Sequence, residues 1–328
     1  MAISNRKIIS AISCIFIFIF IVTITISAVK PKVDADRADY SVAFNTGGFI
    51  HSTAFDNYNK SYIVDLSRYN TVSDFSAIYN SGIDGVILRV GYRGYKTASF
   101  NIDEKFEEFY NSAKAAGLKV GAYFYGQPVS YDDSTEEAKF VLNAIKGKSF
   151  ELPIAYDIEY ASNSSGLTGR LYEANLSKAS LTAICNNFCL LLNNNGYSTM
   201  VYTNADILTN HMISSLLISP VWLARYNSYV DYDCTYTMWQ FTSKGSVNGV
   251  SGNVDVSVLY ELSSSTDDTA TSSTDTLDTT VTEAPIDTDG SSTATDTTSA
   301  FAELLTALMN LLMKLIQALP SLLAALMG

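Results

Sequence analysis

The 328-residue chain contains two histidines and four cysteines, and each scarcity excludes a class of site. The two histidines, His51 and His211, are too few for a zinc site built from several imidazoles, and they leave little material for a Ser-His-Asp triad. Four cysteines are too few for a fold held together by disulfides. Cys185 and Cys189 are spaced i,i+4 on an expected helix, where their Cβ atoms point in similar directions and seldom form a bridge. We therefore expect small core residues at these positions and no metal or other cofactor.

Phosphate-binding features are also missing from the chain. Neither a GxxxxGK[ST] loop nor a GxGxxG element occurs, so nucleotide chemistry has no support. The net charge of −12 comes largely from residues 263–300, which carry seven Asp and one Glu with no Lys or Arg. No basic stripe is present that could bind a phosphate backbone, which makes nucleic acid a poor candidate for a partner.

Composition next divides the part of the chain before residue 263. Two basic residues precede an uncharged run over 8–29, which has the length of about 20 residues that a helix needs to cross a bilayer. This pattern predicts a signal peptide or a retained signal-anchor over residues 1–29. A juxtamembrane spacer over 30–60 is expected next, and then a globular block over 61–262 that is large enough for one hydrophobic core. In both cases we expect the globular block to be extracellular or in the cell envelope.

The end of the chain has two different compositions. Residues 263–300 consist mainly of Ser, Thr, Asp and Ala, which predicts a disordered acidic linker. In residues 301–328 the polar side chains recur every three or four positions in an apolar Leu/Ala/Met run, which predicts an amphipathic helix. Such a helix suits a membrane interface or a helical assembly. The alternative is a helix that folds back on the globular block.

The globular block alternates apolar strand-like runs with amphipathic helical patterns, and its last strands have little helix between them. The expected strands cover residues 62–66, 85–90, 118–125, 152–158, 197–203, 221–224, 237–241 and 255–260. This alternation indicates an α/β fold with a parallel sheet, and eight strands in about 200 residues predict a modified TIM-type (β/α) barrel with reduced helices in its last third. An open doubly wound sheet is the competing architecture, against which the missing glycine-rich loop argues.

One expected strand carries two acids. Residues 152–160 read Leu-Pro-Ile-Ala-Tyr-Asp-Ile-Glu-Tyr, so Asp157 and Glu159 are separated by one residue. In a strand their side chains point the same way, with Cα atoms about 6.6 Å apart. Like charges this close resist joint ionisation, so that one carboxyl stays protonated while the other ionises, as general acid–base work on a glycosidic bond requires. The alternative is a strand end that enters solvent with both acids hydrated.

Chemistry in such barrels belongs at the carboxyl-terminal ends of the strands. Polar side chains stand at these ends in most of the expected strands: Asp65, Arg89, Tyr123, Tyr125, Asp157, Glu159, Tyr202, Tyr226 and Gln240, while Asp255 opens the last strand. Aromatic faces stack on sugar rings and carboxylates transfer protons, so this set favours the binding and hydrolysis of a carbohydrate.

Seven stretches, in order over residues 62–260, resemble the glycoside hydrolase family 25 muramidases, lysozymes of the Chalaropsis type, in their clostridial form. They are Val64-Asp-Leu-Ser, Gly82-Ile-Asp-Gly-Val-Ile-Leu-Arg-Val-Gly-Tyr, Ala116-Gly-Leu-Lys-Val-Gly-Ala-Tyr, Leu152-Pro-Ile-Ala-Tyr-Asp-Ile-Glu, Asn195-Gly-Tyr-Ser-Thr-Met-Val-Tyr, Pro220-Val-Trp-Leu-Ala-Arg-Tyr, and the segment from Met238-Trp-Gln to Asp255. Each stretch alone is a weak signal, whereas all seven in one order are a strong one.

The resemblance implies a barrel whose active rim holds four acids, Asp65, Asp157, Glu159 and Asp255. Glu159 matches the general acid of the family, Asp157 would position the substrate or stabilise developing charge, and the other two would complete the acidic pocket. The bond cleaved in the family is the β-1,4 link between N-acetylmuramic acid and N-acetylglucosamine, so the implied partner is peptidoglycan. The residues expected to bind substrate at the same rim are Arg89, Tyr123, Tyr125, Tyr202, Trp222, Tyr226 and Gln240.

Two stretches depart from the family's pattern. After the second strand many members carry Lys-x-Thr-Glu-Gly, where this chain has Arg89-Val-Gly-Tyr-Arg-Gly and lacks the acid. After the first strand many members carry His-Trp-Gln, where this chain has Arg68-Tyr-Asn, a change that bears on sugar binding and wall specificity. Nothing in the family accounts for residues 263–328.

Three hypotheses about function follow from the sequence. The leading one is an exported peptidoglycan muramidase. The second is a catalytically silent wall-binding protein on the same fold, against which the retention of all four acids argues, because a pure binder has little need of mutually repelling carboxyls. The third is a membrane-active or self-assembling protein whose main function lies in the helix predicted over 301–328. The membrane is an expected partner through the N-terminal helix and, in the third hypothesis, through the C-terminal one.

Overall fold

The computed structural model describes residues 38–39 and 48–262 of the chain. The predicted membrane helix over 1–29, the predicted linker over 263–300 and the predicted amphipathic helix over 301–328 lie outside the described residues. Within the part that is described, no helix is both long enough and apolar enough to cross a membrane.

Eight strands close into a barrel. In chain order they are β1 (Tyr58–Leu66), β2 (Gly85–Arg93), β3 (Lys119–Gly126), β4 (Ile154–Ile158), β5 (Thr199–Asn204), β6 (Val221–Ala224), β7 (Met238–Gly245) and β8 (Val254–Leu262). Consecutive strands are hydrogen-bonded to each other, and β8 pairs in turn with β1. The predicted barrel is therefore confirmed.

The last strand runs in the opposite direction to the other seven. Strands β1 to β7 pair in parallel, whereas β8 is antiparallel to both β7 and β1. An antiparallel neighbour can be reached through a short connection, while a parallel one needs a crossover of a dozen or more residues. The expectation of a wholly parallel sheet is thus wrong at β8. As a result, the first residues of β8 lie at the rim where the other strands end.

Helices cover the outside of the barrel over its first five strands. They are α1 (Phe75–Asn80), α2 (Phe106–Ala115), α3 (Tyr131–Ala144), α4 (Arg170–Glu173) and α5 (Lys178–Asn193). Between β5 and β6 the chain forms a π-helical turn at Ile207–His211 and a 3-10 turn at Ser214–Leu216. No described α-helix follows β6 or β7, so the reduced last third of the barrel is confirmed.

Three of these helices begin at a polar cap that the sequence supplies. Asp74 precedes α1, Ser130 precedes α3 and Ser177 precedes α5, and each side chain accepts a hydrogen bond from a backbone N–H of the first turn. The bond satisfies a donor that has no partner within the helix, which stabilises the helix start by about 1 kcal/mol.

Short strands extend the barrel at its ends. The antiparallel pairs are Ala38–Asp39 with Phe49–Ile50, Thr71–Val72 with Val250–Ser251, and Ala161–Asn163 with Gly166–Thr168, while Phe100–Ile102 pairs with the end of β2. This last pairing is close at Gly91, where a Cβ atom would lie 2.3 Å from the backbone oxygen of Asn101. Only glycine fits there, next to the irregularity that β2 shows between Arg89 and Gly91.

Residues 48–57, which the sequence assigns to a spacer, pack against the barrel. Phe49 is buried and stacks on Phe241 of β7 with ring centroids 4.1 Å apart, and Phe55 stacks on Tyr260 of β8 at 3.7 Å. Strands β7 and β8 therefore pack against aromatic side chains that precede β1. Strand β1 begins at Tyr58, which lies inside the predicted spacer over 30–60.

Two apolar clusters form the core. The larger one lies between the barrel and its helices and includes the buried thiols of Cys185 and Cys189. Burial raises the pKa of Cys189 to about 11, so this thiol stays protonated as expected of a core residue. The smaller cluster fills the inside of the barrel and contains Ile63, Ile87, Leu152, Ala155, Met200, Tyr202, Trp222, Met238 and Leu259.

The contact between α5 and β4 generates a stability prediction. Phe188 of α5 stacks on Tyr156 of β4, with ring centroids 3.8 Å apart and an interplanar angle of 3°, and both rings are fully buried. Phe188→Ala should lower the free energy of unfolding by about 3–5 kcal/mol because it leaves a cavity, and Phe188→Leu should cost less. Urea unfolding monitored by tryptophan fluorescence measures both. A loss below about 1 kcal/mol for the alanine variant would mean that this contact does not hold β4 in place.

Candidate active site

The candidate site is the layer of side chains directly above the apolar interior of the barrel. Alternate residues of a strand share a face, so the residue two positions after an interior one also points inward. Four polar residues occupy such positions: Asp65 after Ile63, Arg89 after Ile87, Asp157 after Ala155, and Gln240 after Met238. Glu159 continues this series one step beyond the end of β4. The barrel therefore stacks a polar layer on an apolar one at the rim.

Asp255 reaches the same layer from the opposite direction. It is the second residue of β8, and the antiparallel register places it directly opposite Asp65 of β1. The Cα atoms of residues paired in this way lie about 4.5–5.5 Å apart. The reversed last strand thus brings together two acids from the two ends of the barrel sequence.

Gln240 links Asp65 to two tyrosines. Its Nε2 donates to Asp65 Oδ2 at 2.7 Å, and its Oε1 accepts from Tyr202 Oη and from Tyr226 Oη at 2.8 Å each. Gln240 is 1% exposed, so its amide plane is fixed by these three bonds in a region of low dielectric. Tyr226 is 54% exposed and carries this hydrogen-bonded chain to the surface of the rim.

Asp65 of β1 and Asp255 of β8 face each other, and each affects the pKa of the other. Burial, followed by the charge of Asp255, raises the pKa of Asp65 well above its usual range, although the hydrogen bond from Gln240 lowers it. Burial also raises the pKa of Asp255. The interaction between the two carboxyls raises the pKa of Asp65 and lowers that of Asp255. The pair therefore keeps a proton at pH values where an isolated Asp is ionised.

Glu159 has the electrostatic setting of a general acid. Burial, followed by the charge of Asp255, raises its pKa to about 7. A carboxyl with this pKa is protonated in a large fraction of molecules near neutral pH and can donate its proton. Its backbone carbonyl accepts a hydrogen bond from Gln127 Nε2 at 3.0 Å, which holds the residue at the end of β4.

Asp157 is the more deeply buried member of the pair on β4. It is 5% exposed, and its Oδ1 has no hydrogen-bond partner among the described residues. Burial, then the charges of Glu159 and Asp65, raises its pKa well above the usual range, while Arg89 lowers it. An unpaired buried acceptor costs about 1–3 kcal/mol, so the fold keeps this oxygen ready for a donor at a cost in stability.

The two tyrosines predicted on β3 stand beside these acids. Burial, followed by nearby carboxylates, raises the pKa of Tyr123 and of Tyr125. Both phenols therefore stay protonated at neutral pH and remain hydrogen-bond donors. Arg89 lies next to Tyr123 in the sheet register, and its Nε donates to Asp103 Oδ2 at 2.7 Å.

The sequence predicts that Trp222 contacts substrate, whereas the structure buries its side chain inside the barrel. It is 2% exposed inside the barrel, and its Nε1 donates to Ser257 Oγ at 3.0 Å. Its ring packs against Tyr202 with centroids 4.6 Å apart at 68°. Trp222 pairs with Tyr202 in the strand register and belongs with it to the interior apolar cluster, so its buried ring packs on Tyr202.

The sequence pattern does not predict a buried polar network that lies behind Glu159. Glu137 of α3 accepts from the backbone N–H of Gln127 at 3.2 Å and from Tyr156 Oη at 2.5 Å, and burial raises its pKa to about 7. Arg93 forms ion pairs with Glu137 and with Asp133 at 3.5 and 3.0 Å. The signal in the sequence is that both acids, four positions apart, lie on the apolar face of α3.

Comparison with known proteins decides the family. A family model described as "Glycosyl hydrolases family 25" matches residues 64–250, which is more than half of the chain. The chain belongs to glycosyl hydrolase family 25. The family resemblance found in the sequence is therefore confirmed.

Curated relatives of this family 25 chain include two lysozymes. The autolytic lysozyme of Clostridium acetobutylicum is 30% identical over 199 residues, which cover 60% of this chain and 55% of that protein. Lysozyme M1 of Streptomyces globisporus is 24% identical over 204 residues, which cover 58% of this chain and 65% of that protein. The chain thus spans little more than half the length of the clostridial relative.

Solved structures share the fold of this family 25 chain. The modular autolysin LytC from Streptococcus pneumoniae superposes with a TM-score of 0.53 at 23% identity, covering 62% of this chain and 47% of that one. A family 25 glycosyl hydrolase from Bacillus anthracis superposes with a TM-score of 0.50 at 18% identity, covering 62% and 90% of the two chains. At these identities the likeness shows the fold alone.

The raised carboxyl pKa values predict an unusual dependence of stability on pH. A carboxyl with a raised folded-state pKa binds protons preferentially in the folded protein, so its contribution is present at low pH and is lost as the pH rises through the folded pKa. The window runs from the usual value of 4.5 to about 7 for Glu159. Tm should therefore be lower at pH 8 than at pH 5.

Asp65→Asn tests this prediction, because the amide is neutral, similar in shape and able to accept the bond from Gln240. It should raise Tm at pH 8 and change it less at pH 5, as measured by differential scanning calorimetry. Asp233→Asn, at an exposed position, is the control and should leave the pH dependence unchanged. A lower Tm for Asp65→Asn at pH 8 would show that Asp65 stabilises the fold as an ion.

Proposed function

We propose that the chain is an exported peptidoglycan muramidase that hydrolyses the β-1,4 bond between N-acetylmuramic acid and N-acetylglucosamine, with Glu159 as the general acid. The observation that carries this proposal is the setting of Glu159, whose pKa of about 7 arises inside a layer of four carboxyls. Membership of family 25 and the lysozyme relatives support the reaction class.

The geometry supports the following sequence of events. Protonated Glu159 donates to the glycosidic oxygen as the bond to the anomeric carbon breaks, and positive charge develops on the sugar ring. Asp157 stabilises that charge, or holds the substrate through its unpaired Oδ1. Water then adds to the anomeric carbon and releases one proton, which restores the protonated state of Glu159. Both side chains in this sequence lie on β4 or directly after it.

The other two acids act on Glu159 from the opposite side of the rim. Asp255 is the largest charge effect on the pKa of Glu159, after burial. Because Asp255 and Asp65 affect each other's pKa, the protonation of the pair sets how much negative charge faces Glu159. Gln240 fixes Asp65, and the exposed ring of Tyr226 offers an apolar face on which a sugar can stack.

We infer an extracellular or envelope location for this activity. The uncharged N-terminal run would export the barrel, and the curated clostridial relative is named an autolytic lysozyme. Anchoring in the membrane by residues 1–29 or 301–328 belongs to the same proposal and rests on the sequence pattern alone.

Substitution of the general acid tests the reaction. Glu159→Gln keeps the shape and hydrogen bonding of the side chain but cannot donate the proton, so hydrolysis of bacterial walls should fall by about 10²-fold or more. Zymography and turbidity clearing of purified walls measure this loss. Glu104→Gln removes an exposed acid and should remain fully active. A Glu159→Gln protein that keeps a tenth of the activity would refute the assignment, and binding of walls without hydrolysis by the unsubstituted chain would favour the silent wall-binding hypothesis.

The pH profile tests the coupling of the acids. Activity requires a protonated Glu159 and an ionised neighbour, so kcat/KM should be bell-shaped with its alkaline limb near pH 7. Asp255→Asn removes the largest charge effect on Glu159 and should move that limb to lower pH. The profile is measured on soluble glycan fragments. A rate that rises steadily to about pH 9 would contradict a carboxylic general acid.

A further inference from the structure

Two arginines and two tyrosines form a stacked group at the rim, beside the acids. We call this group, made of Arg68, Tyr69, Arg89 and Tyr92, the Arg/Tyr cluster. The guanidinium carbons of Arg68 and Arg89 each lie 5.0 Å from the ring centroid of Tyr69 and 5.4 Å from that of Tyr92. Arg68 Nη2 also donates to Tyr69 Oη at 3.1 Å.

The Arg/Tyr cluster carries more positive charge than its neighbours neutralise. Asp103 accepts from Arg89 Nε at 2.7 Å and from the backbone N–H groups of Arg68 and Lys105 at 3.1 and 3.0 Å. Within residues 38–39 and 48–262, Asp103 is the acid that forms an ion pair with this cluster, through Arg89 alone. Two guanidinium groups and one carboxylate leave a surplus of positive charge.

The guanidinium groups of the Arg/Tyr cluster have N–H donors that a ligand can use. The side chain of Arg89 is 10% exposed, and its Nη2 is buried without an acceptor among the described residues. A guanidinium carries five N–H donors, and the bond from Arg68 to Tyr69 uses only one of those on Arg68. The tyrosine rings hold both guanidinium groups in orientation, which lowers the entropy lost when a planar acceptor binds.

The charged groups on the two sides of the rim shift tyrosine pKa values in opposite directions. The hydrogen bond from Arg68, followed by the charges of Arg68 and Arg89, lowers the pKa of Tyr69. Tyr226, on the opposite side of the rim, has a raised pKa because of burial and the charge of Asp255. A phenol with a lowered pKa reports a local excess of positive charge.

The Arg/Tyr cluster lies at the same rim of the barrel as the acids. Arg89 faces the interior layer and its charge acts on Asp157, while Arg68 and Tyr69 directly follow the strand that carries Asp65. Tyr69 is 74% exposed, so this side of the Arg/Tyr cluster is open to solvent. A glycan strand with its scissile bond at Glu159 therefore passes beside the Arg/Tyr cluster.

We propose that the Arg/Tyr cluster binds the carboxylate carried by the muramic acid substituent of the glycan, and so selects strands that bear this charge. The inference rests on the proposed muramidase function. Of the two sugars in the proposed substrate, only muramic acid carries a carboxyl-bearing group, which is its lactyl ether or the peptide attached to it. A carboxylate is planar and matches the in-plane N–H groups of a guanidinium in a bidentate bond.

Binding of matched glycans tests the proposal. The full chain carrying Glu159→Gln binds without turnover, and isothermal titration calorimetry measures Kd for four probes. They are peptide-free strands with free lactyl carboxylates, peptide-bearing strands, and each of these after its carboxyls have been converted to neutral methylamides. Neutralisation should weaken binding by about tenfold, the size of one charge-assisted hydrogen-bonded pair. A difference within the peptide-free pair identifies the lactyl carboxylate as the ligand, and one confined to the peptide-bearing pair identifies the stem peptide.

Variants of Arg68 then assign the effect to the Arg/Tyr cluster. Adding Arg68→Gln should reduce the tenfold preference to about twofold or less, and Arg68→Lys should restore only part of it because an ammonium lacks the planar fork. Lys139→Gln removes one positive charge from the exposed face of α3 and should leave the preference intact. An unchanged Tm shows that each variant is folded.

Two results would overturn the inference: equal affinity for the charged and the neutral strands, or a preference that survives Arg68→Gln. Hydrolysis by the unsubstituted chain is measured separately on the same strands. If no strand is cleaved, the muramidase proposal fails, while the affinity differences still decide whether the Arg/Tyr cluster binds a carboxylate.

Discussion

Burial of four carboxyls in one layer of a closed barrel is the constraint on which the site depends. Water cannot fully solvate these groups, so burial is the largest cause of the raised pKa values of Asp65, Asp157, Glu159 and Asp255. The fold offsets part of this cost with few groups: Gln240 donates to Asp65, and Arg89 lowers the pKa of Asp157. Because that compensation is incomplete, protons remain on the cluster near neutral pH, which is what a general acid requires.

Because the last strand runs in the opposite direction, Asp255 lies next to the other acids of this layer. Had β8 run parallel to its neighbours, its first residues would lie at the opposite end of the barrel, far from β4. The antiparallel register instead sets Asp255 against Asp65, and the charge of Asp255 then acts on Glu159. The direction of β8 therefore decides whether the charge of Asp255, in addition to burial, raises the pKa of Glu159.

Strand alternation made most of the site predictable from sequence. Asp65, Asp157 and Gln240 each follow an apolar interior residue by two positions. Strand alternation places such residues on the inner face of any barrel. The direction of β8 was not predictable in this way, because an alternating pattern reads alike in both directions. Trp222 was misplaced because alternation gives the face of a side chain but not its depth along the barrel axis. The network around Glu137 was missed because acids on a helix normally face water, and only packing shows that this one does not.

Under the proposed muramidase function, the acids and the Arg/Tyr cluster at the rim would together constrain the direction in which a glycan strand binds. Arg89 stands between them, with its Nε on Asp103 and its charge acting on Asp157. A carboxylate on a bound strand is repelled by the acids around Glu159 and attracted by Arg68 and Arg89, so a strand lying in the reverse direction would bring like charges together. Muramic acid is every second sugar of such a strand, so a carboxylate held by the Arg/Tyr cluster would fix the register of the strand and with it which of the two kinds of glycosidic bond meets Glu159. In this chain, electrostatics would therefore select the bond as well as the substrate.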